Sequence, residues 1–275
     1  MEENRDRNFM ATLSMSPPHA PWICSTKYYD MYDPAEIPLP ASFDHKPEDY
    51  RGSGAARWGD LLDEECKREY LRCYYGQVSM IDDVFGRVLE ALDRLGLKDD
   101  TLVIYTSDHG DLQTAHSLLG KSAYGFFDEI VRVPLIMRYP KAFPAGEVRE
   151  HFAGSVDLAP TILSLAGQPV PEGLHGRDLR PAIEGRQADD FDAGFCERGA
   201  GTTERFGRMI RTAKAKYCVY GDGRVELFDY ETDPHEMRNV ANEADYRELR
   251  ATLHERLRQQ AAATGDPALE RIPPL

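Results

Sequence analysis

The sequence lacks a positive balance of charge, and that absence narrows the field first. Its 33 Lys and Arg stand against 47 Asp and Glu, a net charge of -14 at pH 7. A surface of that sign argues against nonspecific binding to nucleic acid or an anionic membrane, both of which need basic groups. An anionic substrate stays open if a metal and a few cations focus the local field. No apolar run reaches the length of a transmembrane helix, so no membrane partner is expected. The opening MEENRDRNF has no h-region, so no signal peptide is read and a cytoplasmic location is expected. Cysteine is sparse: Cys24, Cys66, Cys73, Cys196 and Cys218 include no CxxC pair. That pattern predicts free buried thiols, not a disulfide framework or a zinc knuckle. No internal repeat and no low-complexity segment is present.

What is there suits a globular chain. Its 275 residues are 41% hydrophobic and 29% charged, enough for one large α/β domain or a domain with a smaller partner. NFMATLSMS, residues 8–16, alternates loosely and predicts a buried strand that the prolines of PPHAPW stop. Residues 28–57 are rich in Pro, Asp and Tyr and predict a long surface excursion of the kind that walls an active site. Leu71, Tyr74, Val78, Ile81, Phe85, Val88, Leu92 and Leu95 then alternate spacings of three and four, one apolar face of a long helix that Gly96 closes. TLVIYT predicts a strand, FFDEIV a short helix, VPLIMRYP a strand, and SVDLAPTILSLAG a helix from near Asp157 to Gly167. Strand and helix in alternation predict a doubly wound α/β layer. After about residue 190 two strand-like runs flank Gly221-Asp222-Gly223, a hairpin signal, and a helix with Leu249, Leu253 and Leu257 on one face follows. The expected division is an α/β core over 1–190 and a small antiparallel β plus helix subdomain over 191–275.

The chemistry concentrates where the strand TLVIY runs out into TSDHGDLQTAHSLLGKS. Ligands and catalytic groups gather at the carboxyl ends of strands in α/β proteins. Asp108 and His109 at that end read as half of a metal site; the plain alternative is a strand-to-helix loop with Asp108 as a cap.

Several blocks together carry a family resemblance. YYGQVSMIDDVFGRVLEALDRLGLKDDTLVIYTSDHGD, VRVPLIMRYP, DLAPTILSLAG with GRDLRPAI, and ELFDYETDPHEMRNVA resemble the sulfatases of the alkaline-phosphatase superfamily, and FMATLSMSPPHAPW matches the stretch ahead of them. The resemblance implies a partial sulfatase-like doubly wound sheet. It also exposes what the sequence does not contain: no Cys or Ser here heads a Cys-X-Pro-X-Arg pattern, the family's source of its formylglycine nucleophile. The N-terminal third that carries that motif and two metal-binding aspartates is expected to be missing.

Residue by residue, the resemblance makes Asp108 and His109 metal ligands, for Ca, Mn or Zn; imidazole favours Mn or Zn over hard calcium. It makes Lys121 the cation that grips the ester's anionic oxygens, and His19 a contact to them or the acid for the leaving group. His116 either lines the pocket or orders the loop. Asp111 orders the loop, Asp82 and Asp83 form a solvated face, and His45, His151, His175, His235 and His254 are structural or surface. The implied activity is metal-dependent hydrolysis of a sulfate- or phosphate-ester small molecule. Alternatives are a noncatalytic sulfatase-like fragment or pseudoenzyme, and a phosphonate monoester or phosphodiester hydrolase relative. Unpaired strand edges would favour a homo-oligomer or a complementing chain.

Overall fold

The computed structural model describes residues 1–275 except 51–52, 122–124, 187–190 and 202–205. Contacts divide the chain into two units, Met1–Ser122 with Arg132–Ala145, and Ala123–Val131 with Gly146–Leu275. Residues 146–186, assigned from sequence to the first part, gather with the C-terminal sheet. Phe152 N–H, for example, donates to the Phe191 carbonyl at 3.0 Å.

The first unit is built on helices. After α1 (Thr26–Tyr29) and α2 (Gly54–Leu61) comes α3, Glu64–Arg94, the 31-residue helix that the apolar spacing predicts. Asp63 caps it by accepting from the Cys66 N–H at 2.8 Å, Glu64 and Glu65 complement the dipole, and Gly96 leaves it at φ 69°. Leu71, Ile81 and Leu92 are buried as expected, but the buried stripe also takes in Lys67, Gly76 and Gln77, while Val78 points outward. Gly76 has a reason to lack a side chain. A Cβ there would lie 2.6 Å from Cys24 Sγ and 3.3 Å from the Tyr28 backbone, so glycine lets the start of the chain close onto α3.

β1 (Val103–Thr106) and β2 (Leu135–Arg138) are both found where predicted, and pair antiparallel with Val103 opposite Arg138. The two strands are direct neighbours, so the alternating order makes no parallel crossover between them. Residues 8–16 are not a strand: none of the described strands runs beside them to pair their backbone groups. Met10 and Leu13 stand 82% and 57% exposed.

The second unit holds α4 (Asp128–Val131), α5 (Leu158–Leu165), α6 (Arg180–Ile183) and a four-stranded antiparallel sheet, β3 (Ala193–Arg198), β4 (Gly207–Thr212), β5 (Ala215–Tyr220) and β6 (Val225–Asp229), in sequence order. Gly221-Asp222-Gly223 turns β5 into β6 as expected. The preceding run expected as one strand is two, joined by a tight turn at Ala213-Lys214 without Gly, Pro, Asn or Asp. Thr212 Oγ1 supplies the missing turn chemistry by accepting from the Ala215 N–H at 3.1 Å. α7 (Arg247–Thr264) lays Leu253 and Leu257 on Ile210, Tyr217 and Leu227, and Gly265 ends it at φ 65°. The chain is therefore α/β in class with a C-terminal antiparallel sheet and packed helix. No described helix is long and apolar enough to cross a membrane. The five thiols are free, but Cys66 is exposed and only Cys218 is buried, which corrects the expectation of uniformly buried cysteines. Burial pushes the Cys218 thiol well up.

Candidate active site at the end of β1

β1 ends at Thr106, and the next residues turn polar because the strand has left the apolar layer. Asp108 bends back on its own backbone, Oδ1 accepting the His109 N–H at 2.9 Å, while Ser107 Oγ donates to the His109 carbonyl at 2.9 Å. Burial works to raise the Asp108 carboxyl, but that N–H and the neighbouring ring outweigh it and hold it below the usual carboxylate range.

His109 is oriented by one contact. Its Nδ1 lies 2.8 Å from the Gly110 carbonyl oxygen, an atom that only accepts, so Nδ1 carries the hydrogen and Nε2 of the neutral ring holds a lone pair. That Nε2 stands 3.6 Å from Asp108 Oδ2 and 3.3 Å from Lys121 Nζ. The strand end thus brings three of the expected residues together. The Asp108 and His109 side chains are 83% and 40% exposed, open to a ligand.

The donor set tests the implied metal. A carboxylate oxygen and an imidazole lone pair on the same side of one loop suit two ligands of a divalent cation, and a ring anchored through its other nitrogen is the usual arrangement of a metal-binding histidine. Among the described residues no group of three or more His, Cys, Asp or Glu side chains gathers to hold a metal. The fit covers two ligands.

Lys121 is delivered by an unusual loop. The Leu112 N–H donates to the Gly120 carbonyl at 3.0 Å and the Thr114 N–H to the Leu118 carbonyl at 3.1 Å, closing the loop on itself. Within it Gln113, Thr114, His116 and Ser117 all have positive φ, from 47° to 73°. Each such non-glycine residue costs on the order of 1–3 kcal/mol and persists only where its surroundings impose it. Here burial does: Leu112, Thr114, Ala115 and His116 are fully inaccessible. Asp111 orders this loop as expected, accepting from Tyr70 OH at 3.4 Å and the Gln113 N–H at 3.3 Å, and burial pushes its carboxyl up.

His19 sits apart. Its ring is exposed, with Nδ1 2.7 Å from the Ala20 carbonyl, and among the described residues no hydrogen bond or ion pair joins it to Asp108, His109 or Lys121. Its segment is nonetheless fixed to α3, since Gln77 Nε2 donates to the Pro21 and Ile23 carbonyls at 3.2 and 3.0 Å and Trp22 packs edge-on against Tyr70 at 4.4 Å. His116 does not face Lys121: it points inward, with Nδ1 2.9 Å from Nδ1 of His45. Sequence reasoning took His45 as structural or surface without foreseeing its partner, and it missed Gln77. A polar Gln77 in the middle of an apolar helix face was the one available signal. Asp83 is more than solvated surface, because Tyr28 OH and Lys27 donate to it at 2.6 and 3.0 Å and hold its carboxyl at about 2.

Comparison with known proteins assigns the family. The sulfatase model matches residues 1–168, and the model of the C-terminal region of N-sulphoglucosamine sulphohydrolase matches residues 119–263. The multifunctional alkaline phosphatase superfamily protein PehA of Trinickia caryophylli is 32% identical over 274 residues, covering 88% of this chain and 53% of that protein. An N-acetylglucosamine-6-O-sulfatase of Bacteroides thetaiotaomicron is 34% identical over 204 residues, 70% of this chain and 36% of that one. Among solved structures, a phosphonate monoester hydrolase from Silicibacter pomeroyi superposes with a TM-score of 0.84 at 26% identity, over 98% of this chain and 59% of its own. The chain belongs to the sulfatase family. It spans about half the length of the curated relatives it matches.

Proposed function

We propose that this chain carries the cation-bearing side of a hydrolytic centre for sulfate or phosphonate monoesters. The observation that supports it is the convergence on His109 Nε2 of the Asp108 carboxylate and the Lys121 ammonium. Asp108 and His109 hold the divalent cation, Mn²⁺ or Zn²⁺ in preference to Ca²⁺ because one donor is imidazole. When bound, that ion supplies positive charge against an ester oxygen. Lys121 adds a mobile point charge to the oxygens on which negative charge develops. His19, on a segment pinned by Gln77 and with its Nδ1 against the Ala20 carbonyl, is the proton donor to the leaving oxygen in this reading. The relatives favour both ester classes, one matched protein being named for a sulfate ester and one for a phosphonate monoester.

Calorimetry with Mn²⁺ and turnover of 4-nitrophenyl sulfate test this together. The 275-residue chain is expected to bind Mn²⁺ weakly, with two ligands, and to lose it in Asp108→Ala. Turnover should be residual, because no Cys or Ser in the sequence has the nucleophile's spacing. Tight Mn²⁺ binding that survives Asp108→Ala with His109→Ala sinks the metal assignment, and turnover at full rate in Lys121→Ala sinks the anion contact.

The same unit supports association with a second copy or a complementing chain, since Met10, Leu13 and Ile136 offer apolar surface to solvent. Light scattering at micromolar concentration reads it, and a clean 31.1 kDa monomer that also unfolds cooperatively refutes it.

A further inference from the structure

The loop that delivers Lys121 is held from beneath by one segment, Ser42–His45, and the contact at its centre is chemically unusual. Ser42 Oγ accepts the His116 N–H at 3.2 Å, and Ser117 Oγ donates to the Phe43 carbonyl at 2.8 Å. Between these two lies the imidazole pair, His45 Nδ1 to His116 Nδ1 at 2.9 Å, with the rings edge to face at 5.2 Å between centroids. Gly59 of α2 closes the other side so tightly that a Cβ there would stand 1.7 Å from the Ser117 carbonyl oxygen. These contacts fall on His116 and Ser117, two of the residues whose left-handed backbone must be imposed from outside.

Two nitrogens at 2.9 Å must share one hydrogen. One ring donates through Nδ1–H, and the other accepts through an Nδ1 lone pair and so carries its own hydrogen on Nε2. The pair can hold no charge or one positive charge. It cannot hold two, because a second proton fills the accepting lone pair and sets two N–H groups against each other. Charged side chains stand close by. Lys46 and Asp60, themselves paired, line a cavity of about 360 Å³ with His116 and Ser117. Lys67 of α3 stands 5.0 Å over the Phe43 ring, and Asp44 lies near its ammonium.

The geometry points to His45 and His116 as positioning residues, a latch that shares one proton between two imidazole nitrogens and so fixes the loop that brings Lys121 to His109. The inference rests on the reading of Lys121 and His109 given above, and it predicts that double protonation releases the loop.

The test uses the full 275-residue chain with ¹⁵N-labelled histidine. Long-range ¹H–¹⁵N spectra at pH 7.5 should show one of the two rings protonated at Nδ1 and the other bare at Nδ1; two rings both protonated only at Nε2 would overturn the latch without any variant being made. On acidification to pH 5, the protection factors of the Leu112 and Thr114 amides, which already correct for the intrinsic rate at each pH, should fall about fivefold, the factor that one ordinary hydrogen bond represents. His45→Asn keeps an acceptor and a donor at the Nδ1 position but cannot titrate, so it should abolish that acid effect; equal acid sensitivity in His45→Asn and the unaltered chain contradicts the proposal. At pH 7.5 His45→Phe should weaken inorganic sulfate binding about fivefold while His45→Asn stays within about twofold, and equal losses in both variants would reduce the pair to packing. If sulfate binding ignores Lys121→Ala, the site reading fails instead, and the ring protonation and exchange results judge the latch alone.

Discussion

Two charged regions, one in each unit, treat their charges in opposite ways. In the second, Lys216 is fully buried between Asp128 at 2.7 Å and Glu236 at 2.5 Å and donates to the Phe126 carbonyl at 2.6 Å, while Arg211 takes the other face of Asp128. Tyr230 OH donates to Glu236 at 2.6 Å, and Arg208 holds Asp266 through two bonds of 2.5 and 2.8 Å. Every one of these charges is spent on another. In the first unit, Asp108, His109 and Lys121 meet at longer distances, in solvent, with one lone pair on Nε2 in view. Charges that satisfy each other hold a fold together, and charges brought close without full satisfaction are available to a ligand. Burial and mutual bonding separate the two cases better than residue type does.

The sharpest way to break that contrast is to remove one ammonium from each unit. Lys216→Met leaves two buried carboxylates facing each other, and losing one partner of a buried pair costs about 3–5 kcal/mol. Lys121→Met removes an exposed cation and should change stability by less than about 0.5 kcal/mol. Urea unfolding of both variants measures the difference. Equal losses would mean that the Lys121 loop is as structural as the buried network, and the site would lose its distinguishing feature.

How much of this was legible in the sequence follows the same divide. The long helix, both predicted strands around the site, the Gly221–Gly223 hairpin and the terminal leucine stripe were readable because each is a local period or a local turn. The grouping of Asp108, His109 and Lys121 was readable through the family blocks and the position at a strand end. His45 was not, since its partner His116 is 71 residues away and nothing in SFDHKP marks a buried contact. The segment 8–16 misled for a related reason: alternation signals a strand only where a neighbour exists to pair with it, and pairing is not written in the segment itself. The Ala213-Lys214 turn was invisible because a threonine hydroxyl does the work usually done by glycine or asparagine. The buried network of the second unit joins FFDEIV, AKAKY and DPHEM, none of which announces an ion pair alone.

The smaller test sharpens the contrast through pH. Burial works to raise the Asp128 carboxyl, but Lys216 and Arg211 outweigh it and hold it at about 2, below its ordinary 3.8. Hydrogen bonds from Arg208 likewise hold Asp266 low, against the pull of burial. A carboxyl whose pKa is lower folded than unfolded adds stability that is fully present above about pH 4 and is lost as the pH falls through the folded value. Asp128 alone then contributes on the order of 2 kcal/mol, disappearing between about pH 4 and 2. Glu236, pushed up by burial, gives nothing of that sign. Asp108 adds little to the acid limb because its carboxylate is 83% exposed and water screens its contacts. Urea midpoints measured from pH 5 down to pH 2 should therefore fall steeply in the unaltered chain and in Asp108→Asn, and less steeply in Asp128→Asn, which starts from a lower stability at pH 5. If Asp108→Asn flattens the acid limb and Asp128→Asn leaves it steep, the stabilising charge lies at the end of β1 and the contrast between the units is reversed.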